Sequence, residues 1–157
     1  MSAHLVFQAP RGSIIAWSDD APRPPERHRR KLSAWQTNNG SGRLIRKQDE
    51  RAVDSVALAA NFTLHEADHG AGGVIAIRIH RTFSIDSRLR FCVVERPAVG
   101  AVRVFDRAGD DAELVYLASH HADAEEWLTR HGYPDAVLSE ITADSVATDA
   151  IEGRTVA

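Results

Sequence analysis

The chain has only one cysteine, Cys92, and no long apolar run among its 157 residues. One cysteine excludes an intramolecular disulfide, and its place in the apolar run RFCVVE is typical of a buried, inert thiol. No stretch reaches the roughly 18 apolar residues of a membrane-spanning helix. The first residues, MSAHLVFQAPRG, do not resemble a signal peptide. We therefore expect a soluble, cytoplasmic protein with no membrane association.

The common motifs of nucleotide-binding and hydrolase sites are also missing. The sequence has no phosphate-binding loop and no G-x-S-x-G. The glycines in GAGG, residues 70–73, lack the spacing of a dinucleotide fingerprint and precede a predicted strand rather than a helix. We expect no cofactor.

The size and composition are those of one ordinary globular domain, which we assign to residues 1–157. The hydrophobic share of 43% and the charged share of 26% are typical of a protein with its own core. The order of elements predicts an α+β fold, a mostly antiparallel sheet with two main helices. Neither oligomeric state nor biological role follows from these patterns.

Both ends of the chain are predicted to form a hairpin, a helix and a strand. At the amino-terminal end these are strands at HLVFQ and SIIAW, a helix over residues 25–37 ended by Asn38-Asn39-Gly40, and a strand at RLIRK. At the carboxyl-terminal end they are a hairpin of GAVRVFD and ELVYLA, a helix within HHADAEEWLTRHGYP capped by Gly132, and a strand at AVLSEI. A further short helix is expected over residues 144–152.

The middle of the chain alternates apolar and polar residues. This pattern runs through 56–64 and, with one interruption at Arg81, through 75–85, and it predicts two strands joined as a long hairpin. His65-Glu66-Ala67-Asp68-His69, an H-E-x-x-H sequence, begins at the end of the first strand and runs into the Gly-rich loop HGAGG that joins the two.

The H-E-x-x-H sequence forms a zinc hydrolase site only on a helix. A helix places residues i and i+4 about 5–6 Å apart, so that both imidazoles reach one zinc ion. On a strand the same residues lie about 13 Å apart, which metal–nitrogen bonds cannot close. The alternation favours a strand, and we predict that His65 and His69 do not share a metal.

Positive charge is concentrated in residues 23–51. This segment holds nine basic and three acidic side chains, for a local net charge of +6, whereas the remainder carries −9. Such separation indicates a binding surface for an anionic partner. Arginine offers a planar set of donors for phosphate oxygens, and Trp17 could stack on a base if it is exposed. The candidate binding residues are Arg23, Arg27, Arg30, Lys31, Arg43, Arg46, Lys47 and Trp17.

Three functions are compatible with these features. The first is a binding or adaptor module that holds nucleic acid through the basic helix and the strand after it. The second is a protein–protein interaction module that uses the same patch for an acidic partner. The third is a zinc-dependent hydrolase through His65, Glu66 and His69. We expect a binding module rather than an enzyme.

Overall fold

A computed structural model describes residues 2–71 and 74–145. Its three labelled helices are α1 (Ala3–Gln8), α2 (Arg29–Asn38) and α3 (His121–Arg130). Its strands are β1 (Ile14–Ser18), β2 (Gly40–Gln48), β3 (Arg51–Val53), β4 (Val56–Leu58), β5 (Asn61–Ala71), β6 (Val74–Ser84), β7 (Arg90–Glu95), β8 (Val102–Phe105), β9 (Leu114–Ala118) and β10 (Val137–Glu140). The fold is α+β and sheet-dominated, with α2 and α3 as the two main helices, which confirms the predicted class. None of the helices in the described residues is long and apolar enough to cross a membrane.

The strands form two main sheets and one small ribbon. The first sheet has the order β6-β5-β2-β1-β7, the second has the order β10-β8-β9, and β3 pairs only with β4. Each of the strand pairings in the described chain is antiparallel. The predicted β5–β6 hairpin is confirmed, and so is the order of hairpin, helix and strand at β8-β9-α3-β10.

The alternating run that begins at Val56 forms two strands rather than one. Residues 56–58 pair back on β3 through a turn in which Asp54 has a φ of 55°. Ala60 lies in the gap between the two strands, and its carbonyl accepts a hydrogen bond from the N–H of Ile85 (2.9 Å). The backbone is extended, as the alternation predicted, but residues 56–58 pair with β3 instead of continuing into β5.

Buried hydrophobic residues form two larger clusters, one on each main sheet, and a smaller third cluster that contacts both sheets. The first cluster lies between α1 and one face of the five-stranded sheet, and it includes Val6, Trp17 and Phe62. The second lies between α3 and the three-stranded sheet. The third contains Ile45, Phe105, Ala112 and Leu114. We call this third cluster the joint, because it connects β2 of the first sheet with β8, β9 and the loop between them.

The segment HLVFQ is a helix, so the predicted first strand is wrong. Ala3 and Val6, three residues apart, are both fully buried against the first sheet. The Ser2 hydroxyl accepts a hydrogen bond from the N–H of Phe91 (2.8 Å), which holds the start of the helix against β7. The Lys47 ammonium donates to the carbonyls of Phe7 (2.9 Å) and Ala9 (2.7 Å) at its end. A cation at a helix C-terminus is favourable, and a short apolar run alone does not reveal such tertiary contacts.

The predicted helix caps and the predicted burial of Cys92 are also corrected. The residues that follow α2 and α3, Asn39 and His131, have φ values of −141° and −129°, so neither helix ends in the left-handed conformation. Asn39 instead donates from its side chain to the Trp35 carbonyl (2.9 Å). Cys92 is exposed because the register of β7 places Phe91 in the core. The predicted helix over residues 144–152 lies largely outside the described residues.

Candidate functional site

Helix α2 is attached to the molecule by few contacts. It begins at Arg29 rather than at Pro25, and none of its residues is buried. Leu32 and Trp35, three residues apart on one side of the helix, are half-buried, whereas His28 is exposed. The Trp35 indole N–H donates to the Ala21 carbonyl (2.7 Å). Because so little of the helix packs inward, most of its surface is open to a partner.

The first turn of α2 consists of three cations. Arg29, Arg30 and Lys31 are all exposed, and the turn contains no acidic residue. The N-terminus of a helix carries partial positive charge, so these cations raise the free energy of the folded helix. Two more cations lie just before the helix. We call the five residues the α2 cationic surface: Arg23, Arg27, Arg29, Arg30 and Lys31.

Two cations of this surface have partners close in sequence. The Arg23 guanidinium lies 3.8 Å from the Glu26 carboxylate and 5.9 Å from the Trp35 ring centroid. The Arg27 Nε–H donates to Nε2 of His28 (3.3 Å). These contacts are exposed and involve one carboxylate only, so the surface keeps a net positive charge. Arg29 was not among the sequence candidates, although it belongs to the same run.

The three candidate cations of β2 make contacts inside the fold. Arg43 Nη1 donates to the Gly12 carbonyl (2.6 Å), and Arg46 Nε donates to the Asp111 carbonyl (3.1 Å). Lys47 is the cation at the end of α1. Trp17 is buried, with 2% of its surface exposed, and its indole N–H donates to the Thr37 carbonyl (3.2 Å). The expected patch is therefore divided, and Trp17 offers no open face to a base.

The H-E-x-x-H residues lie on a strand. His65 pairs across the hairpin with His80 and His69 with Ile77, with a register shift beside Glu66. The extended backbone of residues 61–71 is not the helical geometry that a zinc site needs from this motif. The Glu66 carboxylate lies 3.3 Å from the Arg81 guanidinium instead. Within residues 2–71 and 74–145, no three His, Cys, Asp or Glu side chains are grouped to hold a metal ion.

A cleft of about 320 Å³ separates the first sheet from β9 and α3. No sequence pattern predicted it, because its walls come from five elements far apart in the chain. We call it the inter-sheet cleft. Its lining residues are Arg43, Ile45, His65, Arg78, His80, Leu114, Val115, Tyr116, Leu117, Trp127 and His131. Two residues singled out from the sequence lie in it, Arg43 from the basic segment and His65 from the H-E-x-x-H motif.

The α3 wall of the inter-sheet cleft is held by a capping network. His120 Nδ1 accepts the N–H of Asp123 (3.1 Å), so His120 caps α3. The Asp123 carboxylate accepts the N–H of Ser119 (2.9 Å), and this hydrogen bond lowers the pKa of Asp123. The Tyr116 hydroxyl donates to the same carboxylate (3.2 Å). Burial and the Asp123 charge raise the pKa of Tyr116, so its hydroxyl remains a donor at neutral pH.

Fold and site together define a small α+β protein with a cationic helix on its surface and a basic cleft between its sheets. The chain belongs to the family described as "Uncharacterised conserved protein UCP036055", whose model matches residues 1–145. The match includes every element described above. No curated protein and no solved structure matches the chain.

Proposed function

We propose that this protein is a cytoplasmic binding module that holds nucleic acid by its phosphates through the α2 cationic surface. The observation that carries the proposal is the first turn of α2, where Arg29, Arg30 and Lys31 are exposed and no acidic residue balances them. The same surface includes Arg23 and Arg27, which precede the helix.

The helix dipole makes this arrangement unfavourable in the free protein. Each cation in a first helical turn costs a few tenths of a kcal/mol relative to a neutral residue. A phosphate bound there would meet both the cationic side chains and the positive end of the dipole. Residues that lower the stability of local structure are expected at functional sites. The first turn of α2 contains three such cations.

The chemistry of the surface favours contacts with the backbone of the nucleic acid rather than with its bases. Arginine and lysine neutralise phosphates, which positions a protein on nucleic acid without selecting sequence. Trp17 is buried and cannot stack on a base. We therefore propose binding with strong salt dependence and weak sequence preference.

The test is a binding titration with short duplex DNA, single-stranded DNA and RNA at several salt concentrations. If four cations (Arg23, Arg27, Arg30 and Lys31) contact phosphates, the slope of log K against log salt is about −3.6 on duplex DNA. The double variant Arg27→Glu with Arg30→Glu removes two of these contacts. It should weaken binding to all sequences and flatten the slope to about −1.8.

The matched control is Arg88→Glu with Arg96→Glu, which changes the net charge by the same amount at two exposed arginines outside α2. The control should bind like the wild type apart from a small general loss. An equal loss in both double variants would mean that net charge, and not the α2 cationic surface, governs binding. Absence of salt-sensitive binding by the wild type would remove nucleic acid and leave an acidic protein partner as the account of the same surface.

A further inference from the structure

We propose that the inter-sheet cleft is a second binding site, specific for a small organic anion that carries one phosphate or carboxylate group on an apolar body. The site is separate in sequence and structure from the α2 cationic surface. It does not depend on the proposed nucleic-acid binding.

Basic side chains converge on the cleft from four elements. Arg43 comes from β2, His65 from β5, Arg78 and His80 from β6, and His131 from the end of α3, which it directly follows. Two guanidinium groups and three imidazoles around one cleft favour a negatively charged ligand.

Several of these side chains are already positioned before any ligand binds. Arg43 Nη1 is held by the Gly12 carbonyl (2.6 Å), which leaves the other guanidinium donors for a ligand. The rings of His65 and His80 meet edge to face with centroids 5.6 Å apart. The His131 ring stacks on Trp127 at 3.9 Å, and its Nδ1 lies 2.8 Å from the Trp127 carbonyl. Such positioning lowers the ordering cost of binding.

The remaining wall is apolar. Ile45, Leu114 and Val115 are buried, with 4%, 4% and 9% of their surfaces exposed, and they line the cleft beside the cations. The volume of about 320 Å³ lies at the lower end of the range of small-molecule sites, about 300–1,000 Å³. A cleft of this size holds a single ring with one charged group, and its apolar wall distinguishes such a ligand from a free inorganic ion.

Neighbouring strands place three of these side chains side by side. Arg43 of β2 and His80 of β6 each pair in register with His65 of β5. An anion bound between them would accept hydrogen bonds from more than one of these side chains.

The experiment follows the imidazole and backbone signals of the ¹⁵N-labelled full chain by NMR during titration with phenyl phosphate, benzoate and inorganic phosphate. Each titration is matched by potassium chloride at the same ionic strength. We expect saturable shifts of His65 and His80 with phenyl phosphate or benzoate. The better of these two probes identifies the charged group. Affinity for inorganic phosphate as high as for both ring compounds would overturn the proposal of an organic ligand.

Variants then locate the binding. His65→Gln with Arg78→Gln should weaken binding about tenfold or more, as the loss of two charge-assisted contacts implies. The matched control, His4→Gln with Arg88→Gln, makes the same chemical changes at exposed positions outside the cleft and should bind as the wild type does. His131→Gln alters one exposed lining residue and should weaken binding in a folded protein, which circular dichroism verifies.

The result must also be independent of helix α2. The variant Arg27→Glu with Arg30→Glu should retain anion binding in the cleft even if it loses nucleic acid. Shifts confined to α2 amides, or no saturable shift with any of the three probes, would overturn the proposal without bearing on nucleic-acid binding.

Discussion

At the scale of single residues, one close approach fixes where α2 meets the sheet. Trp17 is buried beneath the start of β2, with its ring 5.2 Å from that of Phe83 and its N–H on the Thr37 carbonyl. Gly40 makes this possible because a Cβ at that position would lie 2.7 Å from Cζ2 of Trp17. From the sequence, Gly40 is predicted only to end the helix, because a contact with Trp17 cannot be inferred from turn chemistry.

We predict that Gly40→Ala destabilises the protein by about 1–3 kcal/mol, the usual cost of forcing an extra carbon into a packed core. Gly132→Ala is the matched control, because a Cβ there meets no atom within 4 Å and its φ is not positive. The control should be neutral or stabilising by up to about 1 kcal/mol. Urea unfolding measures both. Equal midpoints for the two variants would show that the Trp17 ring gives way at little cost.

His65 lies on a strand, as the alternation predicted, and the H-E-x-x-H sequence around it is not helical. The H-E-x-x-H string singled out His65 as a metal ligand, and alternation then placed it on a strand, where it lies. Its place in the inter-sheet cleft depends on Arg43 and His80, which pair with it across two neighbouring strands. Strand register between distant segments is not encoded in any local pattern.

At the scale of elements, the short run HLVFQ was predicted as a strand and forms a helix. The β5–β6 hairpin and α3 have long, regular patterns, and both are confirmed. Helix α1 has six residues, and its helical form depends on contacts of Ser2 with β7 and of Lys47 with its last carbonyls. Tertiary contacts of this kind override weak local preference.

We predict that Arg29→Glu with Arg30→Glu makes the protein more stable and a poorer ligand for nucleic acid. Acidic residues in a first helical turn stabilise a helix by about 0.3–1 kcal/mol each. The two arginines that they replace lie at the positive end of the helix dipole, where a cation is unfavourable. Chemical denaturation and the salt titration described above measure the two effects. Arg88→Glu with Arg96→Glu, outside any helix, should give no gain in stability. A loss of stability together with weaker binding would mean that these cations support the fold.

At the scale of the whole molecule, β2 connects two cores. Leu44 belongs to the core under α1, and its neighbour Ile45 belongs to the joint. A register shift between Leu44 and Arg46 allows both to be buried. From the sequence, these two residues, flanked by cations, are predicted to be part of a simple strand. The bulge that turns Ile45 toward the second sheet leaves no signature in composition or period.

Arg11 reinforces the joint from the side. Its guanidinium lies 4.1 Å from the centroid of the Phe105 ring and donates to the Ala112 carbonyl (2.8 Å). Burial, together with the nearby charge of Arg103, lowers the pKa of Arg11, while Asp110 and two other aspartates act in the opposite direction. An arginine remains charged in proteins even so, and its planar group packs on the ring while it donates. The apolar packing of the joint and the contacts of Arg11 therefore stabilise the same region of the molecule.

Since Ile45 lies in the joint and also lines the inter-sheet cleft, its truncation should affect stability and ligand binding together. We predict that Ile45→Ala lowers the free energy of unfolding by about 2–5 kcal/mol, the range for a buried branched residue. The exposed Val99 provides the control, and Val99→Ala should change stability by no more than about 0.5 kcal/mol.

In hydrogen exchange of the Ile45→Ala variant, amides of β8–β10 should open at a lower free energy than those of β1, β2 and β5, because the loss of packing falls on the contact between sheets. Affinity of the cleft for phenyl phosphate should fall in the same variant. If protection decreased equally in both sheets, the two would unfold as one unit and the joint would not be the boundary between them.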